Sequence, residues 1–139
     1  MKTQCPEAVG YQQALASYHR CEAAGCLFDS FYQNFFAKSP AIAPRFANTN
    51  MERQKQDAMA SVLMALRLAS GDSIAGKYIQ GIAETHSRRG YRIRPELYDL
   101  WLDALCEAVA RHDPQYTPDL ESRWRLAMSP AIDLMIASF

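Results

Sequence analysis

Apolar residues recur at three- and four-residue steps along most of the 139-residue chain. In ELYDLWLDALCEAVARH, Leu97, Trp101, Ala104, Leu105 and Val109 fall on one side of a helix and form a single stripe to bury. Pro95 suits the start of that helix, because proline lacks the amide hydrogen that would have no partner in a first turn. A second long helix is predicted in MERQKQDAMASVLMALRLA, where Met51, Ala58, Met59, Val62, Leu63 and Leu66 make the stripe and Asn48 to Asn50 supply a cap. Further helices are predicted at about Tyr11 to Glu22, Leu27 to Lys38, Ser73 to His86 and Leu120 to Ser138. They are separated by Gly25, SPAIAP, SGD, RRGYRIRP and HDPQYTP. Pro130 is expected to kink or divide the last of them, since its ring clashes with the preceding turn and one backbone hydrogen bond is lost. Alternating patterns between turn signals are missing, so no strand is predicted. The expectation is one all-α domain over residues 1–139, without internal repeat or linker.

Composition narrows the partners. With 49% hydrophobic and 22% charged residues and a formal charge of zero, the chain offers no field to steer nucleic acid or an anionic membrane toward it. No apolar run approaches the roughly 20 residues that span a bilayer. The start, MKTQCPEAVG, lacks the basic and apolar regions of a secretory signal, so a cytoplasmic protein is expected. The four cysteines, Cys5, Cys21, Cys26 and Cys106, include no Cys-x-x-Cys pair. They signal neither a zinc site nor a disulfide framework and are expected to be reduced, mostly packed thiols.

The chemistry concentrates in IAETHSRRGY, which puts His86 at the end of a helical pattern with Arg88, Arg89 and Gly90 behind it. Taken alone, such a histidine is ordinarily a capping or surface residue. Its company changes that. FYQNFFAKSPAIAPRF carries a Phe-Tyr pair, Phe35 and Phe36, then Pro40, then Phe46 six residues later; THSRRG and ESRWRLAM follow in order. From about residue 11 to residue 138 this succession resembles the bacterial single-domain globins. Pro40 corresponds to the opening of their short third helix, Phe46 to the phenylalanine that stacks on haem, and His86 to the histidine that binds iron. Two departures are the length between His86 and Pro95 and the interruption at Pro130.

The resemblance implies a globin-like bundle of about seven to eight helices around a haem pocket. Haem is an apolar disc with a charged edge, so its pocket needs an apolar cleft, an axial donor and a polar mouth. Of the three histidines, His19 lies on a mostly polar helix and His112 at a helix end beside Asp113. His86 is therefore the ligand the resemblance implies for the metal, its second ring nitrogen expected to donate to the carbonyl of Ile82 one turn back. Arg88 and Arg89 would face the mouth and the propionates, although a solvated pair of charges is an equally ordinary reading. Gly90 is expected to end the helix with a left-handed turn. Ile93 and Phe46 would pack on the disc. On the ligand side the resemblance implies Tyr32 and Gln54 as donors to a bound gas, with Ala58 one turn beyond; a register slip would substitute Lys55 or Gln56. Asp57 stands where relatives often carry a basic residue for a propionate. The remaining aromatics, Phe31, Phe35, Phe36, Trp101 and Trp124, are expected in the core, with Trp124 joining the last helix to the first. No Cys-x-x-Cys-His attachment site is present, which favours noncovalent haem b.

Two classes of function follow. The first is a haem protein for dioxygen or nitric oxide, as a monomer or homodimer, better suited to tight holding, scavenging, sensing or nitric oxide dioxygenation than to fast delivery. Dioxygenase or peroxidase-like catalysis would need an external reductase, since these residues hold no Gly-rich dinucleotide fingerprint. The alternative is a globin-fold module without haem that binds or regulates another protein; His86 and Phe46 would then have no chemical purpose. A nucleophilic or hydrolytic enzyme has no ordered Ser, His and Asp set to support it.

Overall fold

The computed structural model describes residues 6–87 and 90–139, with side chains from residue 11 onward. Six α-helices form: α1 Pro6–Ala24, α2 Leu27–Lys38, α3 Met51–Ala69, α4 Ser73–His86, α5 Glu96–His112 and α6 Pro118–Ala137. A single 3₁₀ turn, Ala43–Phe46, lies between α2 and α3. No strand occurs among the described residues.

The ends of these helices have local causes. Asn50 accepts from the amide of Arg53 at 3.3 Å and opens α3. Asp72 accepts from the amides of Ile74 and Ala75 at 2.9 and 3.3 Å to open α4, and Thr117 accepts from Leu120 at 3.1 Å to open α6. Gly25 and Gly71 follow α1 and α3 at φ +90° and +94°, the left-handed conformation that glycine adopts without a Cβ clash. The expected seven to eight helices become six and a turn because SPAIAPRF places two prolines within five residues, too close for an α-helix to establish its bonds. Pro130 does not divide the last helix: α6 runs through it. The carbonyl that loses its partner belongs to Leu126, a residue 45% exposed, where water can reach it.

Helix α2 lies on α5, α1 on α6, and α3 against both α4 and α6. Phe31, fully buried, stacks on Phe35 at 5.5 Å and meets Trp101 edge-on at 5.6 Å, tying α2 to α5. Trp124 joins α6 to α1 as expected, its Nε1 donating to Ser17 Oγ at 2.9 Å. The same serine donates to Asp113 Oδ2 at 2.5 Å. Arg20 donates twice to that carboxylate, at 2.7 and 2.9 Å, so this nearly inaccessible charge is paired and its oxygens are satisfied. Cys21 and Cys106 are buried free thiols and Cys26 an exposed one. No helix among the described residues is long and apolar enough to cross a membrane.

Candidate functional site

A cavity of about 800 Å³ opens between the helices, within the range of pockets that take small molecules and cofactors. Tyr32, Phe46, Gln54, Ala58, His86 and Ile93 all line it. These six, drawn from α2, the 3₁₀ turn, α3, α4 and the segment before α5, are brought together by the fold. Arg88 and Arg89 lie outside the described residues. Lys55 and Gln56 line a separate cleft of about 200 Å³ instead. Successive residues on a helix point 100° apart, so only one register of MERQKQDAM can face the large cavity.

His86 ends α4. Its Nδ1 lies 2.9 Å from the carbonyl oxygen of Ile82, which accepts from the ring N–H and leaves the lone pair on Nε2. Desolvation holds the imidazole below its ordinary pKa, against the opposing pull of the Ile82 bond, so the neutral ring is the favoured form. The ring of Tyr91 meets it edge-on with centroids 5.8 Å apart.

The corner after His86 is tightly bonded. The amides of Tyr91, Arg92 and Ile93 donate back to the carbonyls of Thr85, Ser87 and His86 at 2.9, 3.0 and 3.0 Å. Arg92 takes the left-handed conformation in this segment, at φ +55°. Glycine is needed at position 90 because a Cβ there would collide with the Thr85 carbonyl as the chain turns back over α4.

Tyr32, 5% exposed, is held edge-on by Phe31 at 4.8 Å and by Phe46 at 5.8 Å. Gln54 Nε2 donates to its hydroxyl oxygen at 3.0 Å. Desolvation raises the phenol pKa; the Gln54 bond lowers it, Asp57 raises it and Lys55 lowers it by smaller amounts. The phenol therefore stays protonated, and with its oxygen already accepting from Gln54, its own O–H is left to donate into the cavity. Gln54 retains a second N–H for the same purpose. Ala58 adds a small side chain beside them.

Polar residues of the lining that the sequence pattern did not single out include Arg45 and Tyr98. Arg45 donates to the carbonyl of Tyr91 at 3.1 Å and weakly to that of Arg92 at 3.5 Å, bridging the 3₁₀ turn to the corner after His86. Its place next to Phe46 was the available signal. Asp57 borders the cavity on α3. Tyr98, 7% exposed, has a hydroxyl with no hydrogen-bond partner among the described residues, and burial pushes its pKa up to about 12. The spacing of Tyr98 within α5 does not distinguish it from a core aromatic. Leu97 and Trp101, expected in the buried stripe, are only partly buried because they wall the cavity. Among the described residues, no cluster of three or more His, Cys, Asp or Glu side chains could cage an ion.

No protein-family model matches the chain, and no curated protein matches it. A solved structure does. It is the crystal structure of a Pseudomonas aeruginosa PAO1 protein described as structurally highly homologous to a human hemoglobin. The two are 38% identical and superpose with a TM-score of 0.90, over 94% of this chain and 98% of that one. Identity at that level over nearly the whole of both chains is a family relationship: the chain belongs to the bacterial haemoglobin-like globins.

Proposed function

We propose that residues 1–139 form one globin domain that binds haem b noncovalently, with His86 as the residue that would hold its iron, and that it takes dioxygen or nitric oxide as gas ligand. One observation carries this reading. A single cavity of about 800 Å³ is lined both by an imidazole whose Nδ1 is engaged by Ile82 and by the hydrogen-bonded pair of Tyr32 and Gln54. The lining suits the cofactor: apolar walls from Phe46, Ile93, Leu97 and Trp101, one available nitrogen donor, and a buried Tyr98 hydroxyl that lacks a protein partner. When bound, haem supplies an iron with an open position for a diatomic gas.

The chain's own residues would then set how firmly the gas is held. The Ile82 carbonyl fixes the tautomer and plane of His86. Phe46 and Phe31 hold the Tyr32 ring, and Gln54 holds its oxygen, so the phenolic O–H is aimed before a ligand arrives. A hydrogen bond to an acceptor bearing charge contributes about 1.5–3 kcal/mol, which slows ligand escape on the order of ten- to a hundredfold. Tight holding, scavenging, sensing or nitric oxide dioxygenation fit such a site better than fast delivery, and turnover would draw electrons from an external reductase. Arg45 joins Arg88 and Arg89 as a candidate partner for the propionates, since it lines the cavity beside the corner.

The test is an absorption spectrum of protein expressed with ample haem. An intense Soret band, lost or displaced in His86→Ala, is expected. A colourless, folded wild-type protein would overturn the proposal and leave the haem-free regulatory module as the reading.

A further inference from the structure

Helix α3 presents Gln54, Asp57, Ala58 and Ser61 to the large cavity at three- and four-residue steps. Of the described residues that line it, Arg45 is the guanidinium and Asp57 the carboxylate. Their situations differ. The Arg45 guanidinium is engaged with the carbonyls of Tyr91 and Arg92, at the corner. The Asp57 carboxylate has no cationic partner among the described residues. Lys55 cannot neutralise it, because its ammonium is held by Asp29 at 2.7 Å and Glu52 at 3.5 Å, at the separate small cleft. Asp57 is also one turn from Gln54, the residue bonded to Tyr32, so its charge stands beside the donors that would meet a ligand.

We propose that Asp57 is a specificity-determining residue which makes this pocket select uncharged ligands and disfavour small anions. The inference rests on the haem reading above and deepens it by naming the ligand class. A carboxylate without a cationic partner among the described residues, beside a low-dielectric cleft, raises the energy of any anion that enters, whereas dioxygen, nitric oxide and carbon monoxide enter without net charge. Its field reaches the donors: after desolvation and the opposing Gln54 bond, Asp57 is a further cause of the raised pKa of Tyr32, ahead of the opposite effect of Lys55. Asp57 is exposed, so mobile ions screen the effect and substitution leaves the core intact.

The experiment compares wild type, Asp57→Asn and Asp57→Glu, each haem-loaded, by titrating azide onto the ferric protein and timing carbon monoxide binding to the ferrous one. At low ionic strength, Asp57→Asn is expected to bind azide about three- to tenfold more tightly than wild type. Asp57→Glu should resemble wild type, carbon monoxide should bind all three alike, and added salt should close the azide gap. Unchanged azide affinity in Asp57→Asn, or azide and carbon monoxide changing together, would overturn the proposal. A haem-free readout runs in parallel: anilinonaphthalene sulfonate, an anionic dye, should bind the empty cavity of Asp57→Asn more tightly, and uncharged Nile red should not discriminate. Equal binding of the sulfonate by both proteins counts against the idea. Failure of the haem reading is separately visible, as the lack of a Soret band in every variant.

Discussion

Single side chains decide what the cavity offers an occupant. Tyr32 and Tyr98 are both buried phenols, yet one hydroxyl accepts from Gln54 and the other has no partner. The two should respond in opposite ways to loss of the oxygen. Tyr32→Phe removes a donor aimed at the ligand, so dioxygen release timed by stopped flow is expected to quicken about ten- to a hundredfold, and Gln54→Leu should quicken it less. Release that does not change in either variant would show the donor assignment to be mistaken. Tyr98→Phe removes a buried group that the protein leaves unsatisfied. The haem-free form is therefore expected to gain about 1 kcal/mol in urea unfolding, and a loss of that size would show that the hydroxyl has a partner after all.

At the level of elements, the segment joining α4 to α5 determines where the imidazole sits. It returns over the last turn of α4 through the backbone hydrogen bonds of Tyr91, Arg92 and Ile93, passes Gly90 against the Thr85 carbonyl, and is tied to the 3₁₀ turn by Arg45. Gly90→Ala forces that carbonyl and the new methyl group apart. The expected result is a shifted corner, with haem passing to an apoglobin acceptor several-fold faster than from wild type. The variant should also lose about 1–3 kcal/mol of stability, in line with a strained backbone position. Arg45→Ala should loosen the same corner without a clash, and faster amide exchange at Tyr91 to Ile93 would register it. The left-handed Arg92 in this segment was illegible in the sequence, because no side-chain preference announces it there.

The whole molecule is held by contacts that no local pattern contains. Asp113, after α5, receives Arg20 and Ser17 of α1, and Ser17 in turn receives Trp124 of α6. Burial raises the Asp113 pKa, but the bonds from Arg20, Ser17 and the Gln115 amide outweigh it and hold the carboxyl below its ordinary value. Because the folded pKa is the lower one, this contribution is present above the ordinary carboxylate range and is lost as the pH falls through the folded value. Arg20→Ala leaves the carboxylate buried without its cation and is expected to cost about 3 kcal/mol in urea unfolding at neutral pH. In Asp113→Asn the acid-induced loss of stability should be shallower than in wild type. Sequence alone determined the helices, the cap at Asn50 and the approximate family frame, because hydrophobic period, capping and turn chemistry act over a few residues. Only the tertiary structure decided that Gln54 and not Lys55 or Gln56 borders the large cavity, that Arg45 reaches Tyr91, that Tyr98 has no partner and that α6 continues through Pro130. The Arg45 contact joins residues 46 apart in the chain and the Tyr32–Gln54 bond residues 22 apart, and packing of whole elements settles such meetings where neighbouring residues cannot.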